Sequence, residues 1–196
     1  MPSHQPPRHT SRTRTGSRAV VLALALPLLA AVATAPVRAQ PRTAPVASLT
    51  HVHPAPATAT VTEGQVREVA RGGVLTYPSV TSCLTVTVRL RTGGLVGAHA
   101  SLFQVPGELR SDEILPALRK AVAGRPVAAV EVRGAVGAWH PGYFTRAIEA
   151  YGEGEAVPQP EGRDFEGLAR AVALRLGQPR AVVTVEDVPD GDQIVR

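Results

Sequence analysis

The chain has 196 residues, among them 18 Gly, 18 Pro, seven aromatic side chains (1 Trp, 3 Tyr, 3 Phe) and 1 Cys, with a formal charge of +5. One cysteine excludes a disulfide-stapled fold and any zinc site built from several thiolates, so stability must come from an apolar core. The charge is concentrated at the start: Arg8, Arg12, Arg14, Arg18 and Arg38 precede any acidic residue, and taking those five from 21 leaves 16 basic against 16 acidic side chains. The body is neutral and lacks the basic face that nucleic-acid binding requires.

Arg8 to Arg18 form a positive region, Ala19 to Ala33 an apolar run, and Val37-Arg38-Ala39 a small-x-small cleavage site, the pattern of an export signal over residues 1–39. The apolar run is shorter than the roughly 20 residues of a membrane span, so the expectation is a periplasmic or secreted protein with no membrane attachment after cleavage. Residues 40–62, rich in Pro, Ala and Thr, read as a disordered linker, and His51 and His53 within it as solvated loop residues. Folding is expected from Glu63 to the end, as one domain with one core.

Gly73 to Tyr77 reads as a strand closed by Pro78, and Leu84 to Leu90 with Leu95 to Phe103 as a β-hairpin. Ser111-Asp112-Glu113 caps a helix that ends at Gly124 and carries Pro116 in its early turns. Val127 to Val132 is a buried strand, and Pro141 opens a helix reaching Tyr151. Phe165, Leu168, Ala169, Val172 and Leu176 keep helical spacing after Asp164, with Gly177 as the stop. Ala181 to Glu186 is a core strand, and the turn Pro189-Asp190-Gly191-Asp192 leads into a last short one. The order predicts an α+β fold, layered α/β/α, in which a central, mostly antiparallel sheet or sandwich is flanked by helices.

Cys83 directly precedes the first hairpin strand, and of six histidines only His99 and His140 fall in the folded region. Closing the hairpin on Thr92-Gly93 would pair His99 with Val86 and send Cys83 and His99 to opposite faces. Closing it on Arg91-Thr92-Gly93, with Gly93 at positive φ, pairs Cys83 with Ser101 and His99 with Thr85. Sulfur and imidazole then become diagonal neighbours on one face, with Cβ atoms about 7–8 Å apart. A thiol and an imidazole so placed suit nucleophilic catalysis, in which His99 takes the thiol proton to give a thiolate–imidazolium pair. A buried, inert Cys83 is the competing reading of the same residue.

Val80-Thr81-Ser82-Cys83, the strand after it, the Gly93-Gly94 turn and Leu95-Val96-Gly97-Ala98-His99 resemble the Cys–His core of the CheD and cytotoxic necrotizing factor/Burkholderia lethal factor glutamine deamidases. Val130-Glu131-Val132-Arg133-Gly134 is similar to the later strand and glycine turn of the CheD group. The resemblance covers about 30 residues. It departs from the family at Thr81, where a glycine is usual, and at Tyr77, which stands where the family's threonine falls.

The resemblance implies a CheD-like deamidase domain over 63–196, with Cys83 as nucleophile, His99 as base and Thr76, one step from the family position, orienting His99. Its activity would be a hydrolase reaction, deamidation of protein glutamine through a thioester. The backbone N–H groups around Ser82 to Leu84 are the expected oxyanion donors. Export fits the toxin-like branch better than a chemotaxis enzyme. The implied partner is a protein presenting an accessible glutamine, met by a monomer. No cofactor is expected, because there is neither a phosphate-cradling glycine loop nor a metal-ligand set. The alternatives are a non-catalytic exported partner-binding domain of the same fold, and a cysteine peptidase or transglutaminase in which His140 could replace His99.

Overall fold

The structure, a computed structural model, describes residues 54–196; the predicted signal segment and His51 and His53 lie outside the described residues. Eight strands and two α-helices follow in chain order: β1 (Thr58–Thr60), β2 (Val66–Val69), β3 (Val74–Val80), β4 (Leu84–Leu90), β5 (Leu95–Ala100), α1 (Ser111–Val122), β6 (Val127–Gly134), α2 (Phe165–Leu176), β7 (Val183–Asp187) and β8 (Gly191–Val195). They form a three-stranded sheet ordered β1-β3-β8 and a five-stranded sheet ordered β2-β5-β4-β6-β7. Only the β1–β3 and β6–β7 pairs are parallel. The fold is α+β, as the sequence predicts.

β4 explains the layering. Its sequence Leu-Thr-Val-Thr-Val-Arg-Leu alternates apolar and polar side chains, yet all but Arg89 are buried, so both faces are covered. Leu84, Val86, Val88 and Leu90 share one core with Val96, Ala98 and Ala100 of β5, with Ile114, Leu115 and Leu118 of α1, and with Leu168, Ala169 and Val172 of α2. Both helices therefore lie on the same face. The opposite face carries Thr85, Thr87, Gly97 and His99, and a second core of Val61, Val69, Leu75, Tyr77, Val80, Cys83, Leu95 and Val195 fills the space between the two sheets. The layer order is sheet, sheet, helices, the sandwich form of the expected fold: a small second sheet covers the polar face of the large one, and both helices flank a single side in place of the α/β/α layering.

Three further expectations are revised. Ordered structure starts before Glu63, because β1 pairs Thr58 with Val74 and Val61 is fully buried, so the predicted linker ends earlier than residue 62. β3 runs through Pro78 on a bulge between Tyr77 and Val80, where Ser79 takes φ 52°; the missing N–H of Pro78 falls where the ladder is already interrupted. The helix expected from Pro141 to Tyr151 is two short 3-10 turns, Pro141–Phe144 and Ile148–Ala150, which point Tyr143 and Phe144 into the core.

α2 keeps its sequence signals, whereas the cap of α1 falls one residue before the expected Ser111. The Asp164 side chain accepts from the Gly167 N–H at 2.8 Å, and Gly177 closes α2 in the left-handed region at φ 65°. In α1 the cap residue is Arg110, whose N–H donates to Glu113, while the Ser111 hydroxyl donates to the Tyr143 carbonyl at 3.0 Å. Pro116 removes the N–H that would bond the Asp112 carbonyl, and the Arg175 guanidinium of α2 donates to that carbonyl at 3.0 Å. The proline's defect thus becomes a helix–helix contact.

Candidate functional site

The β4–β5 hairpin closes on Arg91-Thr92-Gly93. Leu90 N–H donates to Gly94 O at 2.9 Å, Gly93 N–H donates to Leu90 O at 2.8 Å, and Gly93 has φ 90°. The pairing is Leu84 with Ala100 and Thr85 with His99, the register of the three-residue turn. Cys83 and His99 consequently face the same inter-sheet space.

The turn that carries Cys83 is held from outside. Trp139, fully buried and stacked on Phe144 at 5.0 Å, donates its indole N–H to the Ser82 carbonyl at 2.9 Å. Ala135 N–H donates to the Cys83 carbonyl at 3.1 Å, and a Cβ at Gly134 would overlap that carbonyl. The loop after β6 therefore clamps the backbone on both sides of the nucleophile candidate. Across the inter-sheet space the Tyr77 hydroxyl bonds the Thr87 hydroxyl at 2.6 Å, in room that exists only because Gly97 has no side chain.

His99 is fully buried and 6.1 Å from Tyr77, ring to ring, in an edge-on arrangement. Its Nδ1 lies 3.0 Å from the Val61 carbonyl. A carbonyl only accepts, so Nδ1 carries the proton and Nε2 keeps its lone pair. Nε2 is buried and has no hydrogen-bond partner. A His99 ring nitrogen, the Cys83 sulfur and a Glu63 carboxylate oxygen all lie within 4.8 Å of one another. Ser101, opposite Cys83 in the hairpin, lies 4.0 Å from the sulfur and donates to Glu63 at 3.1 Å.

Burial sets the protonation states. Cys83 is 1% exposed and His99 0%. Desolvation, followed by the Glu63 charge, pushes the Cys83 thiol up to about 11 despite the Ser101 and Leu102 hydrogen bonds. Desolvation likewise lowers His99, against the opposing Val61 hydrogen bond and Glu63 charge. The resting pair is therefore a neutral thiol beside a neutral imidazole, which revises the expected thiolate–imidazolium pair.

The remaining site residues are placed differently from the expectation. Thr76 does not orient His99: strand alternation sends Leu75 and Tyr77 into the inter-sheet core and turns Thr76 to the other side, so the Val61 carbonyl holds the imidazole instead. Ser82 contributes its carbonyl, to Trp139. The Ala135 bond to Cys83 O turns the polar groups of Cys83 toward β6, so those of Leu84 face Ala100 of β5, and its N–H belongs to the ladder. The Leu102 backbone is the one that favours the Cys83 thiolate. His140 is engaged elsewhere, with Nδ1 accepting from the Gly142 N–H at 3.0 Å.

Sequence reasoning missed Glu63, Ser101 and the Val61 carbonyl. Ser101 was available from the hairpin register, whereas Glu63 arrives from a loop that carries no motif. Compared with known protein families and with curated proteins, the chain matches none of them. Among the described residues no helix is long and apolar enough to cross a membrane.

Proposed function

We propose that this domain is an exported Cys–His amidohydrolase, a protein glutamine deamidase with Cys83 as nucleophile and His99 as general base. The observation that carries the reading is the meeting of a sulfur and an imidazole whose tautomer is set by the Val61 carbonyl, leaving Nε2 as the acceptor. In this reading Nε2 takes the thiol proton as the sulfur attacks the glutamine carboxamide carbon, since a neutral thiol needs its base during attack. The Leu102 N–H supports the developing oxyanion. His99 returns the proton to the departing nitrogen, ammonia leaves, and a thioester remains. Water, deprotonated by His99, then cleaves the thioester to glutamate and regenerates the thiol.

Substrate must displace the Ser101–Glu63 contact, because half-buried Glu63 and exposed Thr81 and Ser82 form the side of the site nearest solvent. The alternative, a non-catalytic exported domain of the same fold that binds a partner, is favoured by the 1% exposure of Cys83. The full chain is incubated with casein as a glutamine-rich probe, and with bacterial and animal cell extracts, and followed by mass spectrometry. Deamidase action gives Gln-to-Glu conversion and ammonia release that vanish in Cys83→Ser and His99→Gln. Amine incorporation would identify a transglutaminase and backbone cleavage a peptidase. A folded wild-type chain producing none of these is the non-catalytic domain.

A further inference from the structure

We propose that Glu63, Cys83 and His99 form a binding site for a thiophilic divalent cation, zinc in particular. The donor set is one sulfur, one imidazole nitrogen and one carboxylate oxygen, all within 4.8 Å of one another. Thiolate and imidazole favour zinc over magnesium or calcium, and three protein ligands leave a fourth position for water. Ligand atoms around tetrahedral zinc stand about 3.5 Å apart, so closure needs inward movement on the order of 1 Å.

The independent observation is His99 itself. Its side chain is fully buried, and Nε2 is one of the few buried side-chain nitrogens in the described residues without a partner. An unpaired buried polar atom is costly, and a cation bound at Nε2 satisfies it. The Nδ1–H to Val61 carbonyl bond is the outer support that metal-bound histidines usually have, fixing ring orientation and tautomer. Charge also balances: on binding, the thiol proton leaves to solvent, and thiolate plus carboxylate neutralise the dication in a largely buried site. Glu63, half-buried at the rim, gives the cation its way in.

The three ligands come from three different segments: the β1–β2 loop, the turn before β4, and β5. Each is fixed by backbone hydrogen bonds, Gly64 N–H to His99 O at 2.8 Å among them. A bound cation would occupy both lone pairs that the thioester chemistry uses, so zinc would inhibit deamidation; this last consequence rests on the proposed function.

The test titrates the full chain with Co²⁺ and Zn²⁺ alone. The expected result is one Co²⁺ with a thiolate-to-metal charge-transfer band and tetrahedral d–d absorption, displaced by Zn²⁺. Cys83→Ser should abolish the band, His99→Gln and Glu63→Gln should each weaken binding at least tenfold, and the double variant His51→Ala/His53→Ala should leave it unchanged. Glu63→Gln is near-isosteric and half-exposed, so it tests the site even where a core variant fails to fold. Absence of the band, or a band insensitive to His99→Gln and Glu63→Gln, overturns the inference. Deamidation in EDTA without any cobalt band would overturn this site and leave the proposed function standing; a cobalt band without deamidation would do the reverse.

Discussion

Alkylation of Cys83 tests how far burial governs the site. With its thiol held at about 11, Cys83 at pH 7.5 is ionised to about 3 parts in 10,000, against about one in ten for a free cysteine. Ionisation alone therefore slows iodoacetamide labelling about 300-fold relative to the unfolded chain, and the 1% exposure slows it further. The assay follows the full chain by mass spectrometry in EDTA, with the urea-unfolded chain as reference, at pH values from 6 to 10.5. The rate should climb about tenfold per pH unit up to pH 10 without levelling, because only the thiolate reacts. Labelling within tenfold of the unfolded reference at pH 7.5, or a plateau below pH 9, would refute the reasoning and restore a thiolate–imidazolium pair.

Gly97→Ala places a methyl against the Tyr77 hydroxyl and should destabilise the domain by about 1–3 kcal/mol in urea unfolding, a cost that Tyr77→Phe in the same chain relieves in part. Trp139→Phe keeps the packing on Phe144 and leaves the Ser82 carbonyl unpaired, which should cost about 1–3 kcal/mol and speed Cys83 labelling. Burial lowers His99 from 6.5, so below that pH the unfolded chain binds a proton that the folded one refuses. The His99 contribution is full above pH 6.5 and shrinks as pH falls toward the folded value. In EDTA, the urea-midpoint gap between wild type and His99→Gln should therefore narrow from pH 7 to pH 5; a constant gap would count against a neutral buried imidazole.

What was legible in the sequence was what local chemistry determines. Asp164 and Gly177 bracket α2 because a cap and a left-handed stop act within one turn. Gly93 marks the three-residue turn, and from that turn the register that brings Cys83 and His99 to one face follows by counting. What was hidden depends on partners far away in the chain. β1 has three residues in a Pro- and Thr-rich stretch and becomes a strand only because β3 lies beside it. Glu63 enters the site because the loop after β1 is drawn over His99. Sequence distance from Cys83 suggests Thr76 for the site, but the alternation of Leu75 and Tyr77 shows that the opposite parity of β3 points inward. The thiol's protonation state was out of reach, since it depends on a second sheet whose presence no local pattern announces.

β3 finds its second neighbour at the far end of the chain, with Leu75 beside Val195, and Val195 belongs to the same cluster as Cys83. The Leu75–Val195 pairing spans roughly 120 residues of chain, the kind of non-local contact that slows folding. A thiol left in water is open to sulfenic acid formation or mixed disulfides, and burial in this cluster removes Cys83 from both. The last strand of the chain is therefore part of the wall that keeps this sulfur out of solvent.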